Sequence, residues 1–98
     1  MVTYRTQIKI VADVLYAAKN NRDESEGVGI SVILRKANIS YSRLTGLLIE
    51  LVSSGLLFEI PQTRGSRYRI SGQGIQFLHE YSKFEEFTVY VYLTLVPS

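Results

Sequence analysis

Residues 37–74, ANISYSRLTGLLIELVSSGLLFEIPQTRGSRYRISGQG, change their apolar period from helical to alternating and back towards helical. In the first part Leu44, Leu47, Leu48 and Leu51 recur at three- and four-residue steps, one face of a helix from Tyr41 to Ser54. Ser42, Gly46, Ile49 and Ser53 take the opposite face, with Arg43, Thr45 and Glu50 at the flanks. Ser40 stands where an N-cap belongs and Gly55 where a left-handed stop belongs. After Gly55 the period becomes two: Leu56, Phe58 and Ile60 alternate with Leu57 and Glu59, the pattern of a half-buried strand. Residues 61–66 carry proline and glycine and read as a turn, and Arg67-Tyr68-Arg69-Ile70 is a second alternating run, so the two strands form a hairpin. With Tyr68 and Ile70 towards the core, Arg67 and Arg69 are predicted on the other side with Arg64 at the tip, three arginines on one exposed surface. Ser71 is predicted to cap a further helix with Ile75, Leu78 and the aromatics inward.

Working back towards the N-terminus, a short helix from Ser31 to about Ala37 meets the triplet Asn38-Ile39-Ser40. Two helices joined by about three residues have helix-turn-helix spacing. The triplet also spells a glycosylation acceptor, which has no force without a secretion signal. From Tyr4 to about Lys19, Ile8, Val11, Val14 or Leu15, and Ala18 form another helical face. The stretch NNRDESEGVG, residues 20–29, reads as a polar loop. Its acids Asp23, Glu24 and Glu26 lack the spacing and terminal glutamate of a calcium loop. Gly27 with Gly29, and Gly72 with Gly74, lack the third glycine of a dinucleotide fingerprint.

Ninety-eight residues make one small domain, able to bury roughly 60–65% of its unfolded surface. The absence of cysteine excludes disulfides and thiolate chemistry and suits a reducing or very hot compartment. No apolar run precedes Arg5 and Lys9, and no tract approaches the ~20 residues that span a bilayer, so no membrane role is expected. The net charge of +2 conceals an uneven distribution. Residues 35–69 hold six basic side chains (Arg35, Lys36, Arg43, Arg64, Arg67, Arg69) against Glu50 and Glu59, whereas the segment before them is balanced and the one after is acidic. A basic face gathered in the middle third suits a polyanionic partner, or equally a set of solubilising arginines.

The C-terminal stretch supports two periods. Phe77, Tyr81, Phe84, Thr88, Val91 and Leu95 follow steps of four and three, a heptad stripe suited to a helical pair. Residues 88–95, TVYVYLTL, also alternate cleanly, and their β-branched and aromatic content favours a strand. Continuity with the preceding helix favours the coiled coil, which is the reading carried forward. In either form the apolar surface exceeds what a small domain can cover, and a homodimer through Phe77, Tyr81, Phe84, Thr88, Val91 and Leu95 is expected.

Catalytic chemistry has little support. His79 is the single histidine and has no triad pattern around it, while Glu85 and Glu86 are adjacent and diverge by about 100° on a helix. No enzyme activity, metal, cofactor or small-molecule ligand is expected.

The order helix, helix, turn, helix, strand, loop, strand, helix resembles a winged-helix domain. ANISYSRLTGLL resembles the turn and recognition helix of small archaeal winged-helix proteins, and GLLFEI with RYRISGQGIQFL resembles the wing and the start of the last helix. The resemblance covers about residues 4–87 and is nearest to the archaeal ten-kilodalton chromatin-type DNA-binding proteins, in which a long final helix pairs as an antiparallel coiled coil. It implies an α+β, mostly α fold: a winged helix-turn-helix with a three-helix core and two-stranded wing (residues 1–74), followed by a C-terminal dimerisation helix (residues 75–98). The implied function is dimeric double-stranded-DNA binding, in transcriptional regulation or chromatin, in a nucleoid-associated cytoplasmic setting. Helix 41–54 would enter the major groove, and wing residues 61–67 would meet the backbone or minor groove. The residues implied in DNA contact are Lys36, Ser40, Tyr41, Ser42, Arg43, Thr45, Gly46, Arg64, Ser66, Arg67 and Arg69. Arginine forks suit phosphates and guanine edges, short hydroxyls suit phosphates, and an exposed helical glycine permits close backbone approach. The competing reading is a winged-helix protein-interaction module whose arginines only solubilise.

Overall fold

Leu15, Ile33, Leu44, Leu48 and Leu57, each almost wholly buried, mark where the chain closes on itself. The computed structural model describes residues 4–19 and 26–95, leaving aside the side chains at 4–6, 92 and 95. Its elements are α1 (Tyr4–Lys19), β1 (Val28–Gly29), α2 (Ile30–Ala37), α3 (Tyr41–Ser53), β2 (Leu57–Pro61), β3 (Ser66–Ile70) and α4 (Gly72–Leu95).

The core joins Ala12, Val14, Leu15, Ala17 and Ala18 of α1 to Ile33 and Ala37 of α2, to Leu44, Leu48 and Leu51 of α3, and to Leu57 and Leu78. Local chemistry fixes the helix ends. Asn38 takes the left-handed conformation, φ 55°, and donates its N–H to the Leu34 carbonyl at 3.0 Å, ending α2. Ser40 Oγ accepts from the Arg43 N–H at 3.3 Å and caps α3. Ser54 closes that helix one residue earlier than the sequence suggests, and Gly55 turns the chain at φ 82°.

The sheet has three antiparallel strands in the order β1-β3-β2, one more than the expected hairpin. Val28 pairs with Tyr68 and Gly29 with Arg67. A Cβ at Gly27, whose φ is 71°, would stand 2.6 Å from the Tyr68 carbonyl oxygen, so only glycine lets the chain enter β1 this close to β3. Along β2, paired Leu57↔Ile70 through Pro61↔Ser66, Leu57 is the inward residue and Phe58 is exposed.

Ser71 joins wing to helix. Its N–H donates to the Leu56 carbonyl at 3.1 Å, its hydroxyl donates to the Gly55 carbonyl at 2.6 Å, and the same oxygen accepts from the Gly74 N–H at 3.0 Å. The hydroxyl thus satisfies a helix-end carbonyl and caps α4 at once. Leu78 is buried, and Phe77 and Tyr81, stacked with centroids 6.4 Å apart, pack on the core. Ile75 does not face inward as expected. It is nearly half exposed because the buried stripe of α4 runs through Gly74, Phe77, Leu78 and Tyr81, leaving Ile75 on its outer flank. The two-period stretch is helical: α4 continues without a break to Leu95. Among the described residues no helix is long and apolar enough to cross a membrane.

Candidate nucleic-acid interface

Three segments present the candidate residues: the end of α2 with the turn after it, the outer side of α3, and the β2–β3 tip. In the α2–α3 corner Lys36, Tyr41, Ser42, Arg43 and Gly46 are exposed. Nothing lies within 4 Å of a Cβ built on Gly46, so within this chain the glycine faces open space. Arg43 and Gly46 border a cleft between α1 and α3 whose wall includes Gln7, Val11, Ser42 and Glu50. Ser40 and Thr45 are already engaged locally, Ser40 as the α3 cap and Thr45 Oγ1 as a donor to the Ser42 carbonyl at 2.9 Å.

The expected arrangement of hairpin arginines is corrected by the structure. Arg64 is exposed at a four-residue tip closed by a 2.9 Å bond from the Gln62 N–H to the Gly65 carbonyl. Arg67 and Arg69 share a sheet face by pleating, but both are half-buried and neither is free. Arg67 donates from Nε to the Glu26 carbonyl at 2.9 Å and from Nη2 to the Gly27 carbonyl at 2.7 Å. Its guanidinium therefore holds the approach to β1. Arg69 lies over the Phe58 ring, 5.1 Å from the centroid, directly across the β2–β3 ladder. Ser66 donates to Glu59 Oε2 at 2.6 Å. The sequence had singled out all four hairpin residues, and of these Arg64 alone projects without a described partner.

Some neighbours of these residues were not legible as site residues. Ser31, Gln62 and Thr63 line a cleft with Arg64 and Arg67 at the start of α2, whose N-cap, Gly29, supplies no side chain. Arg35 is exposed beside Lys36 in the last turn of α2, and that adjacency was the one available signal. Among the described residues the ion pairs are Lys9–Asp13 and Lys83–Glu80, on α1 and α4, and none involves an arginine.

Glu59 and Tyr68 lie on the other sheet face and line a cleft with Leu48, Ile49, Val52 and Ser53 of α3. Burial, then the charges of Glu59 and Tyr41, raise the Tyr68 hydroxyl above the usual tyrosine value of 10.0. The folded state therefore keeps this proton longer than the unfolded state does. Stability is undiminished by it below about pH 10 and falls as pH rises through the folded value. Urea unfolding between neutral pH and the alkaline range should show a smaller alkaline loss for Tyr68→Phe than for the native chain; equal losses would remove Tyr68 as a contributor.

Of the expected apolar contacts on α4, Phe77 and Tyr81 are partly spent on their own core. Phe84 is exposed, while Thr88 and Val91 are half-buried. Thr88 Oγ1 donates to the Phe84 carbonyl at 2.8 Å. The Leu95 side chain lies outside the described residues. Phe87, Val89, Tyr90 and Leu93 add exposed apolar surface that the heptad stripe does not include.

A short helix, a turn of three residues, a second helix with an exposed outer face, and a hairpin beside it define a winged helix-turn-helix unit. The sequence agrees: residues 4–89 match the winged helix-turn-helix family, and the chain belongs to it. No curated protein matches the chain significantly in sequence. Among solved structures it is similar to Sso10a-2, a DNA-binding protein from Sulfolobus solfataricus, with a TM-score of 0.76 and 20% identity over 93% of this chain and 96% of that one. At that identity the likeness establishes the shared fold.

Proposed function

We propose that the protein binds double-stranded DNA as a homodimer, with α3 in the major groove and wing residues 61–67 on the backbone or minor groove. The observation that carries this reading is the set of exposed cations, Lys36, Arg43 and Arg64, on α2, α3 and the wing tip. None has an acidic partner among the described residues. Cations left unneutralised across a helix-turn-helix and its wing suit a phosphate backbone. The DNA-binding character of Sso10a-2, which has the same fold, supports the reading further. The outer side of α3 offers no Asn or Gln, so recognition rests more on phosphates and duplex shape than on amide contacts to bases. That favours a chromatin-like, nucleoid-associated role over regulation at one operator.

Dimerisation is assigned to the distal part of α4. No charged residue follows Glu86, and Phe84, Phe87, Tyr90 and Leu93 are exposed on several sides of the helix. A helix apolar all round is stable in water only when covered. The boundary between the winged unit and the dimerisation segment is better drawn after Tyr81 than at residue 74, because Phe77, Leu78 and Tyr81 pack with the winged core. Sedimentation should give twice the chain mass for the native protein and one chain mass for Phe84→Glu/Tyr90→Glu at unchanged helicity; a native monomer would remove the dimer.

DNA binding is tested by anisotropy of a random-sequence duplex at several salt concentrations. Affinity should fall with salt at a slope of about −0.9 for each phosphate contacted. Absence of binding at low salt would overturn the reading and direct attention to protein partners.

A further inference from the structure

The outer face of α3 is unusual for a helix bordered by cations. Its outermost residues are Ser42, Gly46, Ile49 and Ser53, so two hydroxymethyls and a bare backbone surround one large apolar side chain. Ile49 is 68% exposed. Gly46, one turn before it, leaves open space beside it. The charged members of the helix, Arg43 and Glu50, stand on the flank that borders the cleft with α1. On the other flank the Thr45 hydroxyl is held by the Ser42 carbonyl, and Glu59, across the cleft from Ile49, accepts from Ser66. The side chain that reaches furthest from α3 along this face is therefore apolar.

The major groove offers such a side chain one apolar partner, the C5 methyl of thymine. Cytosine and the purines present only donors, acceptors or a bare ring edge at the corresponding depth. Resting on the DNA-binding reading above, we propose that Ile49 reads thymine methyls, giving the protein a preference for A·T-bearing duplexes without any hydrogen bond to a base. The occupant is DNA rather than an apolar protein surface because the exposed Arg43 stands on the flank of the same helix and makes no ion pair among the described residues. 5-Methylcytosine carries its methyl at the same place in the groove and is recognised in the same way.

The test replaces thymine by uracil, which removes the methyl and keeps every hydrogen-bonding group of the groove. Anisotropy is measured on a short alternating A·T duplex and on its uracil counterpart, at one fixed low salt concentration, with the native protein and with Ile49→Ser. The side chain is exposed, so the substitution leaves the core intact; circular dichroism checks this. The native protein should bind the thymine duplex more tightly by about fourfold for each methyl contacted, the value of one buried methyl-sized group. Ile49→Ser should bind both duplexes alike, at the affinity the native protein shows for uracil. Equal native affinities for thymine and uracil duplexes overturn the inference while leaving DNA binding in place. A thymine preference that survives in Ile49→Ser also overturns it, since the methyls would then act through duplex shape. Failure to bind either duplex at low salt overturns the DNA-binding reading and this one together.

Discussion

Replacing Gly74 by alanine should destabilise the protein by about 1–3 kcal/mol, a sizeable share of the roughly 5–15 kcal/mol that holds a domain of this size. A Cβ at Gly74 would overlap the Leu56 carbonyl oxygen and would stand 2.6 Å from Ile70 Cγ1. The Leu56 carbonyl cannot retreat freely, because it accepts the Ser71 N–H at 3.1 Å. Ile70 is held in β3 opposite Leu57, a core residue. The strain falls on the seat of α4 against the root of the hairpin. Gly72→Ala is the control. Nothing lies within 4 Å of its Cβ, and exchanging glycine for alanine in an unstrained position stabilises by about 0.4–1 kcal/mol through the unfolded chain. Urea denaturation of the two variants should therefore move in opposite directions. Equal midpoints would show that α4 is seated less closely on the wing than described.

On the proposed DNA-binding reading, Arg43→Ala/Arg64→Ala should lower affinity about 30-fold at 0.15 M salt and make the log–log salt slope shallower by about 1.8, the value of two lost phosphate contacts. Both side chains are exposed and make no ion pair among the described residues, so the fold should tolerate their loss. Arg67 is deliberately absent from this pair. Its guanidinium holds the Glu26 and Gly27 carbonyls, and Arg67→Ala would remove both of these hydrogen bonds. Weaker binding by that variant would confuse a loosened β1 with a lost phosphate. A double variant with an unchanged salt slope would move the phosphate contacts away from α3 and the wing tip.

The parts of the fold legible in the sequence are those governed by one dominant period and a local cap. The Leu44, Leu48 and Leu51 stripe, Ser40 before it and Gly55 after it define α3 to within a residue. Alternation defines the hairpin, and its tip residue Arg64 is where turn chemistry predicts it. β1 was invisible because two residues carry no period. Its existence depends on a left-handed Gly27 and on an arginine forty positions away. For the same reason Arg67 looked like a free surface charge: strand alternation gives the face of the sheet but not how far a long side chain bends round the edge. Residues 88–95 satisfied both periods, and the helix cap at Ser71, seventeen residues earlier and continuous with them, decided between the two. Ile75 was misplaced because the inward stripe of α4 is set by the close contact at Gly74, a constraint that no apolar pattern announces.

The unbroken course of α4 also makes it a lever. Beyond Tyr81, its last residue packed on the core, residues 82–95 measure about 21 Å, so tilting the helix on its seat by about 5° carries the far end through about 2 Å. Small adjustments where the wing meets the helix are thus magnified at the apolar tip, and the same gearing in reverse lets a grip on that tip steer the attitude of the winged unit.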